Sequence, residues 1–177
     1  MNANALVTGL EEFVRPLLRN ADIQMTLHPD LPEVMADAGQ VEQVLMNLIV
    51  NSLDAMDGEG IIHIKTGMGS VSESLLQAQS EGLHCELGID DAETQRAETW
   101  AYVDVADDGP GISKEHLIQI FDTFFTTKSE SGGTGLGLSI VRTIVQESKG
   151  NLLVASDTGK GTRFRLFLPL VSQKKED

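Results

Sequence analysis

From Ala5 to Arg19 (ALVTGLEEFVRPLLR), apolar residues recur at the three- and four-residue spacing of an amphipathic helix, and Pro16 disturbs it near its end. IQMTLH, from Ile23 to His28, alternates as a strand does. PDLPE is a turn, and Val34 to Ala36 reads as a short strand. Asp37 is placed to cap a helix over Ala38–Met56, which DGEG at 57–60 ends. IIHIKT from Ile61 is a strand. WAYVDVA from Trp100 is another and runs directly into DDGPGI. KEHLIQIF is a short helix, TTKSESGGTGLG a glycine-rich loop, and Leu138–Ser148 a helix closed by Gly150. NLLVAS and TRFRLFLPL are closing strands joined by DTGKG, a hairpin pattern. The elements interleave, and the terminal hairpin disfavours a purely parallel sheet.

The 38–56 helix carries an unusual polar stripe. At about 100° per residue, Val41, Val44, Leu45, Leu48, Ile49 and Met56 share a wide apolar face. Gln43, Asn47, Asn51 and Asp54 form a narrow band beside it. A solvent-facing band accounts for polarity alone, since every amphipathic helix has one. Such bands usually recruit Glu, Lys and Arg, however, and asparagine is a poor helix former because its amide competes for backbone partners. Two asparagines one turn apart therefore also read as amide oxygens aimed at a ligand.

Composition narrows the ligand. Twenty-seven acidic against 13 basic residues give a net charge of −14 over 177 residues. A chain this acidic lacks the basic surface that a nucleic-acid backbone requires, so no nucleic-acid partner is expected, but a single nucleotide is not excluded. Cys85 is the sole cysteine, which rules out a disulfide framework or a cysteine metal cluster and fits a reducing compartment. No apolar run is long enough to span a bilayer. A cytoplasmic location is expected, with the alternative that the chain is the cytoplasmic part of a membrane-anchored protein.

Two glycine segments supply candidate chemistry. DDGPGI at 107–112 places a carboxylate at a strand end before a turn that lets backbone approach a ligand. GGTGLGLSIV at 132–141 opens a helix whose N-terminal amides suit phosphate. The second segment does not follow a strand in a βαβ unit, and it lacks the Gly-Lys-Ser/Thr ending of a P-loop, so the two commonest nucleotide folds are disfavoured.

Taken in order, the asparagine helix, Asp-x-Gly-x-Gly, FDTFFTTK and Gly-x-Gly-x-Gly resemble the N, G1, F and G2 boxes of the ATP-binding domain of two-component sensor histidine kinases. The boxes span residues 37–141, GTRFRLFLP also matches, and FFTTK resembles the nitrogen-regulation and oxygen-sensing branch. The resemblance implies an α/β (α+β) two-layer sandwich of the Bergerat ATP-binding type: a mixed, mainly antiparallel sheet covered on one face by helices. It implies residues 1–20 as a lead-in from a missing dimerisation domain, 5–171 as the catalytic ATP-binding domain with an acidic insert at 67–99, and 172–177 as a charged tail.

Carried over residue by residue, the resemblance makes Asn51 the Mg²⁺ ligand and Asn47 its helper at the phosphates, the two positions expected to be catalytic. Asp107 would accept from the adenine amino group, where guanine presents a carbonyl instead. Gly109 and Gly111 would turn the chain beneath the base. Gly133, Gly135 and Gly137 would wrap the phosphates, and Thr162 would lie near adenine. Lys128 would reach a phosphate, or else be a solvated lysine. Asp54, Ile112, Phe121, Thr127, Thr134, Leu136 and Leu138 complete the implied nucleotide contacts. Phe121, Phe124 and Phe125 have a competing reading, which is favoured: anchors that hold the base of a lid to the core.

The cofactors implied are ATP and Mg²⁺. The partners implied are a histidine-containing dimerisation domain of the same kinase and a response regulator receiver domain. The fragment is expected to be a monomer and the full-length protein a homodimer. None of the four histidines stands in a phosphoacceptor motif. Gyrase, mismatch-repair and chaperone ATPases share the fold, but the gyrase and mismatch-repair relatives place a glutamate base where this chain has Asn47, which cannot act as a base at neutral pH. A degenerate ATP-binding scaffold is a third reading, opposed by the intact boxes. Residues 67–99 lie where the family has a shorter connection. A mobile acidic loop is expected there, with a short helix carrying Val71, Leu75 and Ala78 on one side as the alternative.

Overall fold

The computed structural model describes residues 1–88, 99–127 and 134–171. The helices are α1 (Ala3–Val14), α2 (Ala38–Ala55), α3 (Val71–Ser80), α4 (Lys114–Leu117) and α5 (Gly137–Glu147). The strands are β1 (Asn20–Thr26), β2 (Glu59–Gly69), β3 (His84–Leu87), β4 (Trp100–Asp107), β5 (Asn151–Ser156) and β6 (Thr162–Leu168). They form one sheet in the order β1-β2-β4-β6-β5-β3. β1 and β2 run parallel, because α2 carries the chain back between them. The other pairs are antiparallel, and β5–β6 is the predicted hairpin.

Local chemistry sets the boundaries. The Asn2 side chain caps α1, which tightens into a 3₁₀ turn at Arg15–Leu17 where Pro16 lacks an amide hydrogen. Asp37 accepts from the Gln40 amide and caps α2 as expected. β1 starts three residues before the alternation suggested, because Asn20 pairs with Glu59 at the start of β2. Val34 makes only an isolated bridge to Leu170 rather than a strand.

The two sheet faces are read from the alternation in β4. Ala101, Val103 and Val105 join the main core with Ile62, Ile64, Phe164 and Leu166, and α1, α2 and α5 pack on this face. This is the expected two-layer sandwich. Trp100 and Tyr102 point the other way and meet Phe167, Leu153 and Val71 in a second cluster. The favoured loop reading of the insert fails here. Val71–Ser80 is a helix with a complete capping box, in which Ser70 and Glu73 satisfy each other's backbone amides. Val71 and Ala78 are buried, Leu75 packs beside them, and α3 adds a short layer on the second face. β3, which periodicity did not reveal, then pairs with β5. Residues 89–98 of the insert and 172–177 of the tail lie outside the described residues.

Under α3 the second face holds a buried ion pair. Arg165 Nε and Nη2 donate to the two Asp104 carboxylate oxygens at 2.6 and 2.7 Å, and Nη1 donates to Ser74 Oγ of α3 at 2.8 Å. The guanidinium also stacks 4.0 Å from the centre of the Tyr102 ring. Both charged residues are about as buried as the core around them, so removing one partner strands the other charge. Asp104→Ala is expected to destabilise the fold by about 3–5 kcal/mol. The Asp104→Leu/Arg165→Met double substitution should recover most of that loss. Urea unfolding of the three proteins checks both, and equal losses for single and double variants would contradict the pairing argument.

Candidate functional site

A cleft of about 610 Å³ opens between α2, the turn after β4, and the start of α5. α2 and α5 pack side by side over the sheet, so most of the polar stripe of α2 borders this opening, with Gln43 left exposed outside it. Asn47, Asn51 and Asp54 all line it. The Asn47 amide NH₂ donates to the Gln43 carbonyl one turn back at 3.0 Å. That contact engages one of its two N–H donors, and Oδ1 lies toward Gly137. A Cβ on Gly137 would lie 3.5 Å from Asn47 Oδ1 and 3.9 Å from Asn51 Oδ1. The two amides therefore converge on the first residue of α5. Among the described residues no side-chain hydrogen bond caps α5 there, and a helix N-terminus of this kind suits an anion.

At the other end stands Asp107. Its Oδ2 accepts from Ser52 Oγ at 2.8 Å and its Oδ1 from the Gly109 amide at 2.9 Å. Burial raises its pKa above the ordinary aspartate value, and the Asp108 charge adds to this. The Ser52 hydroxyl and the Gly109 and Thr162 amides oppose the rise without cancelling it. Thr162 lines the cleft beside Asp107, and its hydroxyl lies 3.1 Å from Ser156 Oγ. Ser156 Oγ in turn accepts from the Ile112 amide at 2.8 Å and donates to the Gly161 carbonyl at 2.7 Å, tying the 107–112 turn to the β5–β6 hairpin.

Of the other positions expected from the sequence, Gly111, Ile112, Thr127, Thr134, Gly135, Gly137 and Leu138 line the cleft. Gly109 acts through its amide on Asp107, and Leu136 is the residue preceding α5. Lys128 and Gly133 lie outside the described residues. Phe121 is not among the lining residues, and its side chain is buried in the main core. The three phenylalanines do not act alike. Phe121 and Phe125 pack on the core, but Phe124 is 73% exposed and anchors nothing through its ring. Its backbone, at φ +69°, donates instead to the Gly135 carbonyl at 3.0 Å. Lining residues that sequence reasoning did not assign to the site include Ser52, His116 and Phe125. His116 and Phe125 sit ring to ring at 5.8 Å on the cleft wall. Ser52 was detectable only as a small polar residue off the stripe, because its partner is 55 residues away.

The sequence profile of the histidine kinase-, DNA gyrase B- and HSP90-like ATPases matches residues 36–172. The chain is 40% identical over 149 residues to the sensor kinase CckA of Brucella abortus (strain 2308), covering 84% of this chain and 14% of that protein. It is 34% identical over 178 residues to the sensor histidine kinase ZraS of Escherichia coli (strain K12), covering 99% of this chain and 32% of that protein. The chain thus spans a third or less of the length of these relatives. Among solved structures, the nucleotide-free catalytic domain of histidine kinase ThkA superposes with a TM-score of 0.69 at 27% identity, covering 96% of this chain and 93% of that one.

The raised Asp107 pKa has a signed consequence for stability. The folded chain holds this proton more tightly than the unfolded chain. The Asp107 contribution therefore favours the fold at low pH and is lost as pH rises from the ordinary aspartate value through the raised one. Asp107→Asn should remove that component. The stability difference, variant minus wild type, is expected to increase with pH across this window in nucleotide-free urea titrations. A difference that is flat or decreasing would contradict the burial argument.

Proposed function

The chain belongs to the histidine kinase-, DNA gyrase B- and HSP90-like ATPase family, and from that premise we propose that it is the catalytic ATP-binding domain of a sensor histidine kinase. In this reading it passes the γ-phosphate of ATP to a histidine on a separate dimerising domain, for relay to an aspartate of a response regulator. The observation that carries it is the convergence of the Asn47 and Asn51 amides on the uncapped N-terminus of α5, across the cleft from a fixed carboxylate. One end suits a triphosphate and the other a purine amino group.

Asp107 selects adenine. Ser52 and Gly109 hold its carboxylate in one orientation, so the adenine amino group meets a preformed acceptor, whereas the guanine carbonyl would face a second acceptor. Thr162, beside it, offers a hydroxyl to the base edge. The first-turn amides of α5 cradle phosphate oxygens. The donor set fits Mg²⁺: a neutral amide oxygen from Asn51, supported by Asn47, leaves the remaining positions to phosphate and water, as a hard cation prefers. When bound, the ion neutralises charge on the phosphate oxygens. The chain's own residues bind and align the nucleotide. The attacking histidine nitrogen comes from elsewhere, forms the new N–P bond, and ADP leaves.

Asn47 also argues for transfer to a protein group over hydrolysis. An amide cannot deprotonate water at neutral pH, so the cleft lacks the base that the gyrase-type reading needs at this position. No helix among the described residues is long and apolar enough to cross a membrane.

Two substitutions test the assignments. Asn51→Ala should preserve the fold, since alanine is the better helix former, yet largely abolish the Mg²⁺ dependence of ATP binding. Calorimetry of wild type and variant with and without Mg²⁺, alongside circular dichroism, provides the check. A folded variant with undiminished Mg²⁺ dependence would remove Asn51 from the metal site. Asp107→Asn should weaken ATP binding by roughly 1–3 kcal/mol while leaving the Mg²⁺ dependence in place. Unchanged affinity would take Asp107 out of the adenine site.

A further inference from the structure

A second cavity, of about 290 Å³, lies on the opposite face of the sheet, beneath the C-terminal end of α3. Sheet register builds it. One cross-strand row is Lys65–Asp104–Arg165, and the next on the same face is His63–Ala106–Arg163. Ala155 on β5 continues the second row. Ala106 and Ala155 are the low positions of that row, with Arg163 standing between them and Lys65 and Arg165 in the row beside it. Gln77 and Leu83 of the insert reach over it.

The charges here are unusual for this molecule. The chain has only 13 Lys and Arg residues, yet four of them line this cavity, against the carboxylates of Asp104 and Asp108. Asp107 also borders it, but its carboxylate is turned to Ser52 on the other face. Asp104 is fully engaged by Arg165, and Asp108 lies 3.6 Å from His63 Nε2. Glu81 takes one guanidinium nitrogen of Arg163 at 3.0 Å, and Lys160 donates to the Gly82 carbonyl at 3.0 Å. Lys65 has no ion-pair partner among the described residues, although it stands directly across from Asp104. Its strand and that of Arg163 flank β4, at about 9–10 Å separation, and the two residues stand in neighbouring rows, diagonally across Ala106, which leaves room for an anion between two long side chains.

We propose that this cavity is a binding site for a small anion carrying a phosphate or carboxylate group, held between Lys65 and the unengaged face of the Arg163 guanidinium above Ala106. A forked guanidinium and a mobile ammonium suit either anion. The volume is at the lower limit of small-molecule pockets and too small for a macromolecular segment. The site is distinct from the cleft but shares the Asp107 and Thr162 backbone as a wall. Ala106, Asp108 and Arg163 are sequence neighbours of those two residues, so an occupant would bear on the strand ends that position the nucleotide groups.

The test is backbone amide NMR of the nucleotide-free chain, titrated separately with inorganic phosphate and with succinate at constant ionic strength. Saturable shifts centred on Lys65, Ala106 and Arg163 are expected for at least one anion, and the tighter arm identifies the preferred group. Lys65→Ala should weaken that binding roughly tenfold, the size of one lost charge-assisted contact. Exposed Arg142→Ala on α5 should leave it unchanged. Asn51→Ala should also retain it, which separates this site from any phosphate held in the cleft. Shifts confined to the cleft, non-saturating shifts with both anions, or wild-type affinity in Lys65→Ala would each overturn the proposal.

Discussion

Two backbone turns pass each other too closely for any side chain to stand between them, and the arrangement of the cleft follows from that passage. Gly111 is at φ +74° and Gly161 at φ +73°. A Cβ on Gly111 would collide with the Asp157 carbonyl, and one on Gly161 with the Asp107 carbonyl. The Gly159 amide donates to the Pro110 carbonyl at 2.7 Å across the same contact. The end of β4 is thereby clamped to the start of β6. Asp107 and Thr162 face the cleft side by side because these turns interlock, and Ser52 of α2 completes the hold on the carboxylate from the helical layer.

Much of this was legible in the chain because it is local. The α2 stripe is a matter of 3.6-residue period, Asp37 caps the next turn, and glycines at 109, 111, 135 and 137 announce backbone that ligands or other chain segments approach. Four weak signals in one order then carried the fold. What escaped was set at a distance. Ser52 gains its role only from Asp107, on another element. Phe121 and Phe124 are three residues apart in one motif, yet one is in the core and the other in solvent, because the turn between them is not periodic.

The insert was harder to read for a different reason. Its apolar residues are few, so composition favoured a loop. The apolar surface that makes α3 a helix belongs to other strands: Trp100 and Tyr102 on β4, Leu153 on β5 and Phe167 on β6. The first two arrive in sequence as part of a strand buried along nearly its whole length, which does not say what covers its second face. Ser70 and Glu73 were the available local clue, an N-terminal signature that needs no long-range knowledge.

That second layer binds the evolutionary fate of distant positions together. A relative lacking α3 could not keep Trp100, Tyr102 and Phe167 as they are, since the three aromatic side chains would form an exposed apolar patch of the kind that promotes association. Arg165 would lose the serine that takes one of its donors, and Tyr102 would lose the cover over its ring. Gain or loss of ten helical residues would therefore call for changes on both β4 and β6. The helix and the sheet face beneath it are one packing unit, and grafting the helix onto a bare sheet would have to bring that face with it.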